Sequence, residues 1–159
     1  MRYLCIDLGD KRTGLAVSDA FTRIVSPVDV LEVPSNERGG AALLEAIAKA
    51  VRDHVGDSPY AKGELVLGLP LNMDGTEGPR AKMVREWAGR IADMCGRVVH
   101  LQDERLSSAD ADWQMAQSGL THKQKKLRRD ALAAATVLQE FLTGMGQEGR
   151  PEPIRPSKG

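Results

Sequence analysis

Residues 1–19 read MRYLCIDLGDKRTGLAVSD, and this stretch decides the fold. Tyr3–Ile6 is an apolar run with strand character that delivers an acid, Asp7. Gly9 and Gly14 mark a tight turn, and a second apolar run covers Leu15–Ser18. A third, Val28–Val33, follows Pro27, which reads as part of the second gap. Three short strands joined by turns form a meander. A carboxylate at a strand exit, next to a hairpin that fixes its direction, is well placed to hold a metal ion or a phosphate.

Beyond the meander the period changes. Leu43, Leu44, Ile47, Ala50, Val51 and Val55 recur at helical spacing, and Gly56–Gly63 ends that helix. ELVLGLP is a short, nearly continuous apolar run, as expected of a strand covered on both faces. A second helix carries Met83, Val84, Trp87, Ile91 and Met94 on one stripe, with Gly96 as its stop. RVVHLQDE reads as the fifth strand. Ser107 or Ser108 can cap a third helix that ends near Gly119, and a last helix is expected from about Asp130 to Leu142, with Ala134, Val137, Leu138, Phe141 and Leu142 inward. The order βββαβαβα predicts an α/β fold, a mixed five-stranded sheet of three antiparallel strands followed by parallel crossovers, flanked by helices. Residues 1–143 make one domain. The tail 144–159, rich in glycine, proline and charge, is expected to be disordered.

The chain has 159 residues, a formal net charge of zero and two cysteines, Cys5 and Cys95. Two thiols make neither a disulfide framework nor a zinc spacing, and they are expected to be buried and reduced in a cytoplasmic protein. No apolar run approaches a membrane span, so no membrane partner is expected. Zero net charge argues against a purely electrostatic nucleic-acid coat, but the cations are uneven: Lys123, Lys125, Lys126, Arg128 and Arg129 lead directly into Asp130. Such a run is by default a solvated helix face.

Three acids fall where separate elements can converge: Asp7 ends the first strand, Glu104 the fifth, and Asp130 opens the last helix. In an open α/β sheet, ligands gather at the carboxyl ends of the parallel strands. Carboxylates brought together there repel unless a counter-ion joins them, and the natural one is a hard divalent cation, Mg2+ or Mn2+. Each acid alone has a plainer reading: a turn hydrogen bond for Asp7, a surface ion pair for Glu104 beside Asp103 and Arg105, and a helix-dipole contribution for Asp130. Together they favour a metal site for phosphodiester hydrolysis. The loop LNMDGTEGPRAK offers Asn72 to a base or phosphate, with Arg80, Lys82 and Arg85 near the backbone. Arg12, Arg105, Lys125, Lys126 and Arg128 complete the cations expected to grip phosphates. His54, His100 and His122 lack a paired spacing and read as ordinary boundary residues.

These blocks resemble one family. Asp7-x-Gly9-x-x-Arg12-x-Gly14-x-Ala16-x-Ser18-Asp19, then GLPLNMDGTEGPRA, then Asp103-Glu104-Arg105-Leu106-Ser107-Ser108, then Asp130-x-x-Ala133-Ala134 occur in the order found in the YqgF family of bacterial nucleases, also called RuvX. The chain departs from it at Arg129, where the family often has an apolar residue. The resemblance implies a ribonuclease H-like fold, metal-dependent phosphodiester hydrolysis and a cytoplasmic role in maturing the 5′ end of the precursor of 16S rRNA. It also implies Asp7, Glu104 and Asp130 as the metal-binding, catalytic acids.

The substrate class implied is structured precursor rRNA, with branched DNA as the alternative, cut by a Holliday junction resolvase. Symmetric cuts require a two-fold dimer, and nothing in the sequence marks a dimer surface, so a monomer or weak homodimer is expected. Two other classes are weighed. A non-catalytic RNA-binding assembly factor fits poorly with scarce aromatics. The hairpin Asp7-x-Gly9 with Gly14 also resembles the phosphate-binding hairpin of the actin and sugar-kinase superfamily, whose members close two lobes where this chain has length for one.

Overall fold

The computed structural model describes residues 1–56, 62–104, 122–146 and 148–157, and for 122–128 the backbone alone. Strands β1 (Arg2–Asp7), β2 (Thr13–Ser18) and β3 (Val25–Leu31) form the meander. Helix α1 (Ala41–His54), β4 (Gly63–Leu69), α2 (Pro79–Cys95), β5 (Val99–Asp103) and α3 (His122–Thr143) follow. The sheet order is β3-β2-β1-β4-β5. β1–β2 and β2–β3 pair antiparallel, and β1–β4 and β4–β5 pair parallel. This is the mixed five-stranded sheet expected. The third helix, proposed from Ser107 or Ser108, lies outside the described residues.

Alternation along the strands sorts the core into two layers. Leu4, Ile6, Leu15, Leu65, Leu67, Leu69, Val99 and Leu101 face α1 and α2, whose Leu43, Ile47, Val84, Trp87 and Ile91 close on them. Tyr3, Cys5, Ala16 and Val66 face the other way, onto Ala134, Val137, Leu138 and Phe141 of α3. A central strand with apolar residues on both faces explains why β4 reads as an unbroken run. α2 starts with Pro79 and stops at Gly96, whose φ of 65° is the left-handed conformation glycine adopts freely. Both cysteines are free thiols, Cys5 buried and Cys95 partly so. Among the described residues no helix is long and apolar enough to cross a membrane.

Four expectations need correction. β3 begins at Val25 rather than Val28 and contains Pro27. Proline is tolerated there because β3 is an edge strand and the pairing shifts between Leu15 and Ala16, opposite it. α3 begins at His122, so Asp130 lies inside it rather than at its start; lysine, glutamine, leucine and arginine are good helix formers and carry the helix backwards. Met94 is half exposed, off the inward stripe of α2. The tail has a place in the fold: Val99 and Ile154 exchange two backbone hydrogen bonds of 2.8 and 2.7 Å, and the amide of Ser157 donates to Asp93. Ile154 packs against the leucine layer and covers the exposed edge of β5.

Candidate active site

The site is built from one row across the sheet. Asp7, the last residue of β1, pairs with Gly14 of β2, and the parallel register that sets Ile6 against Leu67 puts Gly68 of β4 on its other side. By alternation Asp7 points, like Tyr3 and Cys5, toward the α3 face. The glycines flanking it leave two gaps, and each is filled by an acidic residue. The α3 backbone comes down onto Gly14 at Asp130: a Cβ there would overlap the Asp130 carbonyl and lie 3.0 Å from the Ala131 amide nitrogen. Over Gly68 lies the Glu104 carboxylate, whose Cδ is 2.8 Å from where a Cβ would stand. The Glu104 amide donates to the Leu69 carbonyl at 3.2 Å, which fixes the residue at the end of β5. Strand register and two absent side chains thus bring three distant acids to one end of the sheet.

Their electrostatics are unequal. Asp7 and Glu104 share a side-chain hydrogen bond. Burial, reinforced by the neighbouring Asp7 charge, pushes Glu104 up to about 9, and burial pushes Asp7 up to about 6, with Asp130 adding to the repulsion. Arg80 lowers both. It reaches the site from the first turn of α2, donating to the Leu8 carbonyl at 3.1 Å and to Asp10 at 3.4 Å. Asp130 accepts a 2.9 Å hydrogen bond from Nε of Arg12. The expected trio is therefore a tight pair plus a third carboxylate held by an arginine, and among the described residues no three acids converge on one point as they stand. The pair nevertheless fits a hard cation. Two partly buried carboxyl groups sharing one proton present oxygen ligands that a divalent ion can hold in the proton's place.

The other candidates are scattered. Arg12 and Arg80 touch the site. Asn72 spends its amide on its own loop, donating to the Thr76 hydroxyl at 3.0 Å, while Asp74 also binds Thr76. Lys82 is exposed on α2. Arg85 clamps Glu77 through two 2.7 Å hydrogen bonds and holds the loop to α2. Arg105 and the side chains of Lys125, Lys126 and Arg128 lie outside the described residues. Arg129 is exposed, so the departure from the apolar residue common at that position turns toward solvent. In the sequence Gly14 reads as a turn residue, and Gly68 is only one position of the apolar run ELVLGLP. The signal that they are space-makers is their shared alternation phase with Asp7, and it is visible only once the register is known.

The family model described as "RuvX: Holliday junction resolvase" matches residues 1–144. The chain belongs to the RuvX family. A RuvX relative from Anaeromyxobacter dehalogenans (strain 2CP-C), named "Putative pre-16S rRNA nuclease", is 42% identical over 142 residues, covering 89% of this chain and 96% of the relative. Another of the same name, from Pelotomaculum thermopropionicum, is 35% identical over 150 residues, covering 94% and 92%. Among solved structures, RuvC of T. thermophilus in complex with a Holliday junction substrate superposes with a TM-score of 0.55 at 16% identity, covering 97% of this chain and 99% of that one. The likeness shows the fold, which is ribonuclease H-like.

Proposed function

We propose that this RuvX chain is a cytoplasmic, divalent-metal-dependent nuclease that trims the 5′ end of the 16S rRNA precursor. The observation that carries the proposal is the partly buried Asp7–Glu104 pair at the carboxyl ends of β1 and β5, with Asp130 beside it. Paired acids this poorly solvated are costly for a merely structural role and are common where chemistry needs them. The names of the relatives support RNA as the substrate.

Asp7 and Glu104 would hold a Mg2+ or Mn2+ ion, and Asp130 would complete the set. Bound there, such an ion supplies charge neutralisation at the scissile phosphate and an acidified water. The chain's own residues do the rest. Arg80 sets a positive charge beside the acid pair, which limits its repulsion and attracts a phosphate. Arg12 stands at Asp130, 2.9 Å from its carboxylate. Asp7, fixed at a strand end between two glycines, aims its oxygens with little freedom, and such preorganisation favours the reaction geometry. Lys125, Lys126 and Arg128 are proposed to contact the phosphate backbone further along the strand.

The family model's description and the RuvC fold favour a second reading, cleavage of branched DNA, which calls for a homodimer. One experiment separates them. Purified protein is incubated with a 5′-extended 16S precursor fragment and with a four-way DNA junction, in Mg2+, Mn2+ or EDTA, beside Asp7→Asn. Metal-dependent cleavage of the RNA, lost in Asp7→Asn, is expected. Cleavage of the junction alone would move the assignment to DNA, and full activity in Asp7→Asn or in EDTA would refute the site.

A further inference from the structure

Building on the nuclease reading, we infer that Arg12 is a positioning residue with two stations: on Asp130 while no cation is held, and on a phosphate of the bound strand, in the cleft beside it, once one is. Four observations converge on this. The Arg12–Asp130 contact is made through a single guanidinium nitrogen, Nε, at 2.9 Å, with side chains 25% and 29% exposed. The two-pronged Arg85–Glu77 clamp shows what a structural pair looks like in the same molecule. The Arg12 carbonyl packs where a Cβ of Gly9 would be, so the β1–β2 turn closes tightly at the base of the arginine side chain.

Arg12 also lines a cleft of about 670 Å³ together with Lys11, Asp10, Glu32, Ser35 and Asn36. That volume lies in the range of small-molecule binding sites. The cleft is preformed: the Ser35 amide donates to the Asp10 carbonyl at 2.8 Å, tying the segment after β3 to the β1–β2 turn. Lys11 and Arg12 offer cations to a phosphate, while Asp10 and Glu32 offer acceptors to ribose hydroxyls or base amino groups.

Charge decides which station is occupied. In the metal-free molecule, Arg12 supplies the positive charge that Asp130 lacks. A divalent ion in the acid row supplies that charge and repels the guanidinium, which has the cleft next to it. A pair held through one nitrogen, with side chains still 25% and 29% exposed, is partly screened by solvent and open to exchange. Cation and strand therefore reinforce each other's binding, and by linkage the effect is reciprocal.

The test measures Mn2+ binding by electron paramagnetic resonance for the wild type, Arg12→Ala, Arg12→Gln and Asp7→Asn, without RNA. Fluorescence polarisation of a labelled precursor fragment is read in Ca2+ and in EDTA. Both Arg12 variants are expected to bind Mn2+ about two- to fivefold more tightly than the wild type. They should bind RNA more weakly in Ca2+ yet equally in EDTA, where the wild-type arginine is parked on Asp130. Unchanged or weaker Mn2+ binding overturns the inference, as does an RNA defect of the same size in Ca2+ and EDTA, which marks a static contact. Mn2+ binding that is absent from the wild type, or unaffected by Asp7→Asn, removes the nuclease site and this inference together. Should Arg12→Ala fail to fold, Arg12→Gln carries the same comparison.

Discussion

Gly68→Ala separates the fold from the site more cleanly than replacing an acid. The added methyl would stand 2.8 Å from Cδ and 3.3 Å from Oε1 of Glu104, where ordinary carbon contacts need about 3.5–4.0 Å. The clash falls on the far end of a flexible side chain rather than on backbone, so Glu104 is expected to swing away by about 1 Å. The fold loses little. Alanine also relieves the entropy cost of a strand glycine, about 0.5–1 kcal/mol, so the net change in stability should stay within about 1 kcal/mol. The acid pair, however, is pulled apart, and a 1 Å displacement in an active site costs on the order of 100-fold in rate. The assay pairs a thermal melt in EDTA with the rate of Mn2+-dependent cleavage of the precursor fragment. A near-native melting temperature with a rate at least about 100-fold lower supports the geometry. A rate within threefold of wild type would show that Glu104's position over Gly68 is irrelevant to the chemistry.

Other outcomes follow from the same contacts. Gly14→Ala drives a methyl into the Asp130 carbonyl; backbone cannot yield as a side chain does, so a loss of about 2–4 kcal/mol is expected in denaturant titration, and a smaller loss would mean that α3 can slide. In EDTA, the raised values of Asp7 and Glu104 make these two groups' contribution to stability greatest below about pH 4, where both are neutral folded or unfolded. It should then be lost as pH rises toward about 6 and about 9, at up to about 1.4 kcal/mol per pH unit for each proton the fold retains. Melting temperatures across that range should flatten in Asp7→Asn and on adding Mn2+, and an unchanged slope in both would argue against a coupled pair. Removing residues 148–159 deletes the two hydrogen bonds between Val99 and Ile154 and bares Ile154's apolar seat. A loss of about 1–3 kcal/mol is expected, with faster hydrogen exchange at Val99, and an unaltered Val99 amide would show that the strap contributes nothing.

Much of this was legible in the sequence because its causes are local. The strand before Asp7, the apolar run of β4 and the helical period of α1 and α2 each carry their own periodicity, so the mixed five-stranded sheet and the succession of elements along the chain could be read directly, though not the strand order within the sheet. Elements whose placement depends on distant partners were harder. Pro27 reads as a breaker until β3 is known to be an edge. Ile154 sits in a segment whose composition resembles a solvated tail, and only its pairing with Val99 orders it. The three acids stand out in the sequence by their positions at element ends, yet for Asp130 that local reason is wrong: it lies beside Asp7's row because Gly14 admits α3, not because a helix starts there. Arg12 was read as a phosphate ligand, and its bond to Asp130 spans too much sequence for any local pattern to reveal.

The account stands on a cation held between Asp7 and Glu104. Anomalous diffraction from crystals soaked in Mn2+ locates it directly. A peak between those two carboxylates, within reach of Asp130 and missing from Asp7→Asn crystals, is the expected result. An undisturbed Asp7–Glu104 hydrogen bond at saturating Mn2+, with no peak beside it, would contradict the account.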